Sequence, residues 1–304
     1  MPGVVNAFTV DVEDYFQVAA LAPAIERASW PQRESRVERN TGVLLDLLSE
    51  RGIQGTFFVL GWIAERHPGL IRRIAAEGHE IACHGFSHRL IYEQAPQEFR
   101  EETTRSKGTL EDLSGTAVIG YRAASFSITR QSLWALDTLI ELGFRYDSSI
   151  FPIRHDRYGI PGADPRPGTL TAPSGRTLVE FPMSAASYLG VRVPVSGGGY
   201  FRLLPYFVTR SGLRQINLRH QRPFSFYLHP WEVDPQQPRV RVGWLSHFRH
   251  YTNLQRCEAR LRRLLDEFRF ATMREVLETA GLLQGVAPRA MPAPALATAP
   301  RALG

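Results

Sequence analysis

The sequence predicts an α/β protein whose strands run parallel and are joined by crossover helices. Three observations carry that expectation. Apolar runs alternate with amphipathic stretches up to about residue 150, the rhythm of β-α-β units. The chemically distinctive polar residues fall where apolar runs end, and the C-terminal ends of parallel strands share one face. No internal repeat and no linker divides the 304 residues, which are enough to bury one large core.

The elements follow in order. "NAFTVDV" reads as a buried strand, and "VERNTGVLLDLLSERG" as an amphipathic helix stopped by Gly52. "GTFFVLG" is a second strand. "HPGLIRRIAAEGHE" is a helix with Pro68 near its start and Gly78 past its end, and "EIACH" is the strand after it. "QEFREETTRSKGTLEDLSG" is a polar-faced helix, followed by the strand "AVIGYRA", the helix "TRQSLWALDTLIELG" and the strand "FRYDSS". Beyond Ile150 the pattern loosens into a Pro/Gly-rich loop, a strand at "TLVEFPMS" and a Gly-rich turn, "SGGGYF", that leads into a helix. "RPFSFYLHPWEV" is a late strand, "HYTNLQRCEARLRRLLDEFRF" one long amphipathic helix, and "ATMREVLETAG" a short one. The expected organisation is a single domain over 1–284, with a helical extension from about 240 to 284. The Ala/Pro-rich stretch 285–304 is expected to be a disordered tail.

Composition narrows the function classes. With 43% hydrophobic and 22% charged residues and no apolar run of 18, the chain is expected to be a soluble globular protein without a transmembrane segment. Two cysteines cannot form a disulfide framework, and no signal peptide is visible, so a cytoplasmic location, at the inner membrane face, is expected. The net charge of +6 comes almost wholly from arginine, Lys107 being the one lysine. No nucleic-acid module accompanies it, so solvated helix faces explain it better than a nucleic-acid partner. A homo-oligomer is left open.

The chemistry sits at strand ends. Asp11, Glu13 and Asp14 lie within four residues after an apolar run, and three mutually repelling carboxylates there call for a cation. His84 and His88 follow "EIAC", Arg122 follows "AVIGY", Asp147 ends "FRYD" and His229 ends "FSFYL". Two imidazoles with one carboxylate leave metal positions open for water and substrate.

Five segments, "TVDVEDYF", "HGFSH", "GYRAASFS", "YDSSIFP" and "FYLHPWE", resemble in order and rough spacing the NodB-type polysaccharide deacetylases, carbohydrate esterase family four. The forms "DVEDYF", "SGGGYFRLLP" and "FRHYTNL…LLDEFRF" look like the branch associated with exosortase (PEP-CTERM) exopolysaccharide loci. The likeness covers residues 5 to 280. It implies a distorted (β/α) barrel of about seven parallel strands, and metal-dependent removal of N-acetyl groups from amino sugars.

Carried over, the resemblance makes Asp11 the general base and His84 and His88 metal ligands. Val12 stands where many members place the acidic ligand, so that ligand falls to Glu13 or Asp14, with Asp14 preferred for its shorter side chain. Arg122 is kept from an Arg-x-Pro-Tyr motif whose Pro and Tyr are absent, and it would pair with Asp11. Asp147 would support the catalytic histidine, and His229 would be the general acid. Zn²⁺ is the expected metal, with Co²⁺, Ni²⁺ and Mn²⁺ as alternatives. The expected substrate is an N-acetylated polysaccharide or lipid-linked oligosaccharide. Two alternatives stand beside it: allantoinase-like opening of cyclic amides, and a non-catalytic sugar-binding role in a polysaccharide-synthesis complex.

Overall fold

The computed structural model of the chain describes residues 3–188 and 190–283. The Ala/Pro-rich tail expected to be disordered lies outside them. The apolar runs become β1 (Val5–Val12), β2 (Thr56–Val59), β3 (Glu80–Cys83), β4 (Gly120–Tyr121) and β5 (Tyr146–Asp147). After them come β6 (Gly168–Thr171), β7 (Thr177–Glu180), β8 (Ala185–Tyr188), β9 (Val191–Pro194), β10 (Ser225–Leu228) and β11 (Arg269–Ala271). Seven strands pair in parallel in the order β10-β1-β2-β3-β4-β5-β7. Every residue of β2, β3 and β10 is buried, which is why these strands read as unbroken apolar runs rather than alternating ones.

The helices α1 (Val37–Ser49), α2 (Gly61–Arg66), α3 (Pro68–Ala76), α4 (Pro96–Ser114) and α5 (Trp134–Glu141) fill the connections between these strands. Proline opens α3 and α4, where the missing N–H costs nothing, and Gly115 closes α4 at φ 66°. Leu44, Leu45 and Leu48 of α1 enter the main core with Phe8, Phe57 and Ile81. Later come α6 (Gly198–Leu203), α7 (Tyr206–Arg214), α8 (Trp244–Tyr251), α9 (Leu254–Glu267) and α10 (Met273–Thr279).

The outer edge of β10 is not left open. Tyr227 N donates to Ser196 O at 2.7 Å, and Ser225 N donates to Ser184 Oγ at 3.0 Å. Gly197 makes this seam possible. Its φ is 130°, and a Cβ there would stand 1.9 Å from Tyr227 O. The glycines of "SGGGYF" therefore let two backbones touch.

Three parts depart from expectation. The long helix expected from His250 is split: Asn253 takes φ 59°, while Arg202 collects the carbonyls of Arg249, His250 and Thr252. Its final residues leave the helix to form β11, which pairs with the start of β1. Residues 168–171 form β6, antiparallel to β7, and β8 and β9 form a separate hairpin.

Candidate active site

The parallel strands deliver their ends to one rim. Asp11 is the penultimate residue of β1 and Glu13 follows that strand. His84 follows β3, Arg122 follows β4 and His229 follows β10. Together with Trp231 and Tyr200, all of these except Arg122 line a cleft of about 430 Å³. Arg122 lies beneath it and is fully buried. Its Nη1 donates to Asp11 Oδ1 at 2.6 Å and to Thr9 Oγ1 at 2.8 Å, and its Nε and Nη2 are held by Ser148. Its guanidinium carbon stands 4.0 Å from the centre of the Phe58 ring. The guanidinium is thus a rigid fork that fixes the Asp11 carboxylate.

Glu13, His84 and His88 each offer a ligand atom, all within 4.8 Å of one another, and all three residues are buried. His84 Nδ1 lies 2.8 Å from the Arg122 carbonyl; donating there leaves the Nε2 lone pair for a cation. Burial, with His88 beside it, lowers the His84 pKa to about 4, the neutral form a ligand needs. Glu13 Oε2 is 2.9 Å from His88 Nε2 yet makes no well-formed hydrogen bond. An orphaned carboxylate oxygen beside an imidazole nitrogen fits two ligands facing one ion. Burial works against charge on Glu13, but His88, His229 and His84 outweigh it and hold the pKa down to about 2. Trp231 Nε1 donates to Glu13 Oε1 at 3.2 Å and aims it.

His88 itself adopts φ 50°, a strained conformation for a side-chain-bearing residue. Arg27 holds that loop by donating to Ser87 O and His88 O at 3.1 and 3.4 Å. Ser125 and Phe126, which line the same cleft, are also left-handed, at φ 50° and 54°. The protein stores strain at two places in this cleft.

The preference for Asp14 as the metal ligand is corrected by the geometry. The chain turns after Val12, and Asp14 caps that turn with Oδ1 accepting from Tyr15 N. Its Oδ2 accepts from Ser35 Oγ, Arg36 N and Val37 N. Both oxygens are spent on tying the turn to the start of α1. Asp147 is corrected as well. It is buried on β5, bonded to Ser149 Oγ at 2.6 Å and paired in register with Glu180.

The residue that does support His229 is Glu232, whose Oε1 lies 2.7 Å from His229 Nδ1 and 3.1 Å from the His229 amide nitrogen. Glu232 Oε2 in turn accepts from Arg202 Nε at 2.6 Å. Burial opposes charge on His229, but Glu13, the bond and charge of Glu232, and Asp11 raise its pKa to about 9. Its free Nε2 faces Glu13 Oε1 at 3.5 Å and Asp11 Oδ2 at 4.0 Å. An "HPWE" turn, acid three residues after histidine, was the available signal for Glu232.

Other side chains able to bind a metal are taken up by the fold. Cys83 and Cys257 are free and buried in the core, and His250 is buried against Trp231. Among the described residues, Glu13, His84 and His88 are the one cluster that could hold an ion.

The fold and site together define a parallel α/β barrel with a two-histidine, one-carboxylate set at its C-terminal rim. Residues 32–146 match the family described as Polysaccharide deacetylase, and residues 148–278 match one described as Domain of unknown function (DUF3473). Both segments feed one site: the first brings His84, His88 and Arg122, the second His229 and Glu232. A peptidoglycan-N-acetylglucosamine deacetylase of Bacillus cereus is 36% identical over 77 residues, 25% of this chain and 28% of that protein. A chitooligosaccharide deacetylase of Rhizobium leguminosarum bv. trifolii is 52% identical over 48 residues, 16% and 22% of the two chains. The matches to these curated relatives thus span under a third of either relative's length.

Over the whole chain the likeness is structural. A structure from Mycobacterium smegmatis described as a polysaccharide deacetylase superposes with TM-score 0.60 at 23% identity, covering 97% of this chain and 95% of that one. The PuuE allantoinase superposes with TM-score 0.59 at 14% identity, covering 94% of each. The deacetylase barrel expected from the sequence is the fold observed.

Proposed function

We propose that this chain is a metal-dependent hydrolase that removes N-acetyl groups from amino sugars of a polysaccharide or its precursor. One observation carries the proposal: Asp11 with its arginine and His229 with its glutamate flank a Glu13–His84–His88 set at the floor of one cleft. A divalent cation fits that set, since two imidazoles and an orphaned carboxylate oxygen converge there. When bound, it would lower the pKa of a water towards about 7 and polarise the acyl oxygen.

The chain's own residues supply the proton traffic. Asp11, oriented by Arg122, accepts a proton from the water whose oxygen forms the new bond to the acetyl carbon. His229, kept protonated by its acidic neighbours, gives its Nε2 proton to the nitrogen as the carbon–nitrogen bond breaks. Glu232 orients the ring and balances the imidazolium. Acetate and a free amino sugar leave. Tyr158, Tyr200 and Trp231 give the cleft apolar faces suited to sugar rings.

The barrel is shared with an allantoinase, so the fold does not separate amide substrates. The intact ligand set and the stretches alike to named deacetylases favour the acetamido sugar. An exopolysaccharide precursor is the finer substrate we favour, from the motif forms of residues 11–16 and 196–205. The test is elemental analysis of the purified protein, followed by acetate release from chitooligosaccharides against ring-opening of cyclic ureides. Bound divalent metal with acetate release is expected. Ureide opening without acetate release, or neither reaction in metal-loaded protein, overturns the proposal.

A further inference from the structure

One helix carries an apolar face that nothing among the described residues covers. Trp244, Leu245 and Phe248 of α8 are 79%, 43% and 50% exposed, and the spacings i, i+1 and i+4 put them on one side. A soluble surface seldom spends three large apolar side chains on two helical turns without a purpose. The charge around them has one sign. From Pro235 to Cys257 there is no acidic residue, while Arg239, Arg241, Arg249 and Arg256 all fall there. These four are exposed. Among the described residues no carboxylate lies within ion-pair distance of any of them. Elsewhere in the same region arginines do find acids, as Arg262 finds Glu258 and Arg263 finds Glu267.

The same helix borders the cleft. Arg249 and His250 line its wall, so whatever covers Trp244 and Phe248 lies next to the mouth.

We propose that α8 and its arginine flank dock on an anionic lipid surface, with Trp244, Leu245 and Phe248 entering the headgroup boundary and Arg239 and Arg241 meeting lipid phosphates. Large apolar side chains beside cations that lack acids are what an interfacial helix requires: apolar burial and electrostatic attraction act together. A second copy of the chain is a poorer occupant, because a two-fold contact would bring the same unpaired arginines against each other. No helix among the described residues is long and apolar enough to cross a membrane, so the attachment is peripheral. The inference is independent of the reaction assigned to the cleft.

The experiment is sedimentation of the full chain with vesicles of phosphatidylcholine alone and of phosphatidylcholine and phosphatidylglycerol in equal parts, with tryptophan emission read in parallel. Expected results are binding to the anionic vesicles with a blue shift, weaker binding as salt rises, and little binding to the neutral ones. Trp244→Ser with Phe248→Ser should lower binding by about tenfold or more, while acetate release from a short soluble substrate stays unchanged. Arg239→Gln with Arg241→Gln should lower binding to anionic vesicles and leave the melting temperature in place. Equal binding to both vesicles, or undiminished binding by either double variant, overturns the inference. So does a dimer in sedimentation velocity that Trp244→Ser with Phe248→Ser dissolves while no vesicle is bound.

Discussion

Glu232 accepts the Nδ1 proton of His229 at 2.7 Å from a position only three residues further along the chain. The support for this imidazole therefore comes from its own turn and not from a neighbouring strand. A 3-10 turn over Pro230–Val233 sets the spacing, with Pro230 as its first residue and the Glu232 carboxylate also accepting the His229 amide. Arg202 closes the chain of charges from α6 and is itself anchored to three carbonyls at the end of α8. A loop-borne histidine gains the rigidity of two helices this way.

Glu232→Gln tests this directly. The amide keeps the shape but removes the charge that balances His229 and Arg202. Turnover of a chitooligosaccharide should fall by roughly 10²-fold with KM little changed, because Glu232 is buried behind the histidine and does not line the cleft. Leaving Arg202 without its buried partner should also cost about 3–5 kcal/mol of stability in a denaturant titration. Wild-type kinetics in a folded variant would remove Glu232 from the mechanism.

Glu13 and Asp14 are adjacent acids with separate tasks, and substitution should divide them. Glu13→Gln should lose bound metal and turnover in protein that still folds. Asp14→Ala leaves the amides of Tyr15, Arg36 and Val37 without their acceptor, so it should cost about 2–4 kcal/mol and keep one metal per chain at temperatures where it remains folded. Metal content by mass spectrometry and unfolding by circular dichroism check both arms. Metal loss from Asp14→Ala in folded protein would reverse the assignment.

That division also shows where sequence stops being informative. Strands buried on both faces announce themselves as apolar runs, and a parallel sheet gathers their ends, so Asp11, His84, Arg122 and His229 could be picked out before any geometry. Which of two neighbouring carboxylates faces the ion depends on how the chain turns after Val12. That turn is set by Ser35 and the start of α1, some twenty residues away. The same limit hid β11. Phe268 to Phe270 continue an amphipathic period, and only pairing with Val5–Ala7 at the far end of the chain makes a strand of Arg269–Ala271. "SGGGYF" likewise reads as a turn into a helix, and only contact with Tyr227 makes it a seam.

Gly197→Ala puts that seam to the test. At φ 130° with Tyr227 O in the way, a methyl group must push β10 from its neighbour or break the bond from Tyr227 N to Ser196 O. A loss of more than about 2 kcal/mol is expected by chemical denaturation. Gly115→Ala, at φ 66° with nothing within 4 Å of the added carbon, should cost about 1 kcal/mol. Equal losses at the two positions would mean that close approach to Tyr227 is not what Gly197 provides.

Asp147 and Glu180 give a prediction about pH. They face each other in register on β5 and β7, and both are buried. Burial raises the Asp147 pKa to about 6, partly countered by the hydrogen bonds from Glu180 and Ser149. It raises Glu180 well above the usual carboxylate range, with the charge of Asp147 adding to the effect. The folded state therefore holds protons that the unfolded chain, with carboxylates near pKa 4, has released. The stability these groups contribute is fully present below about pH 4 and is lost as pH rises through about 6. Glu180→Gln keeps an acceptor for Ile150 N and removes the like charge. Relative to wild type it should be more stable by about 1–3 kcal/mol at pH 8, with the gap closing towards pH 4. Melting curves of the two proteins across that range decide the matter: a difference that does not change with pH would mean the pair carries no shared proton in the native barrel.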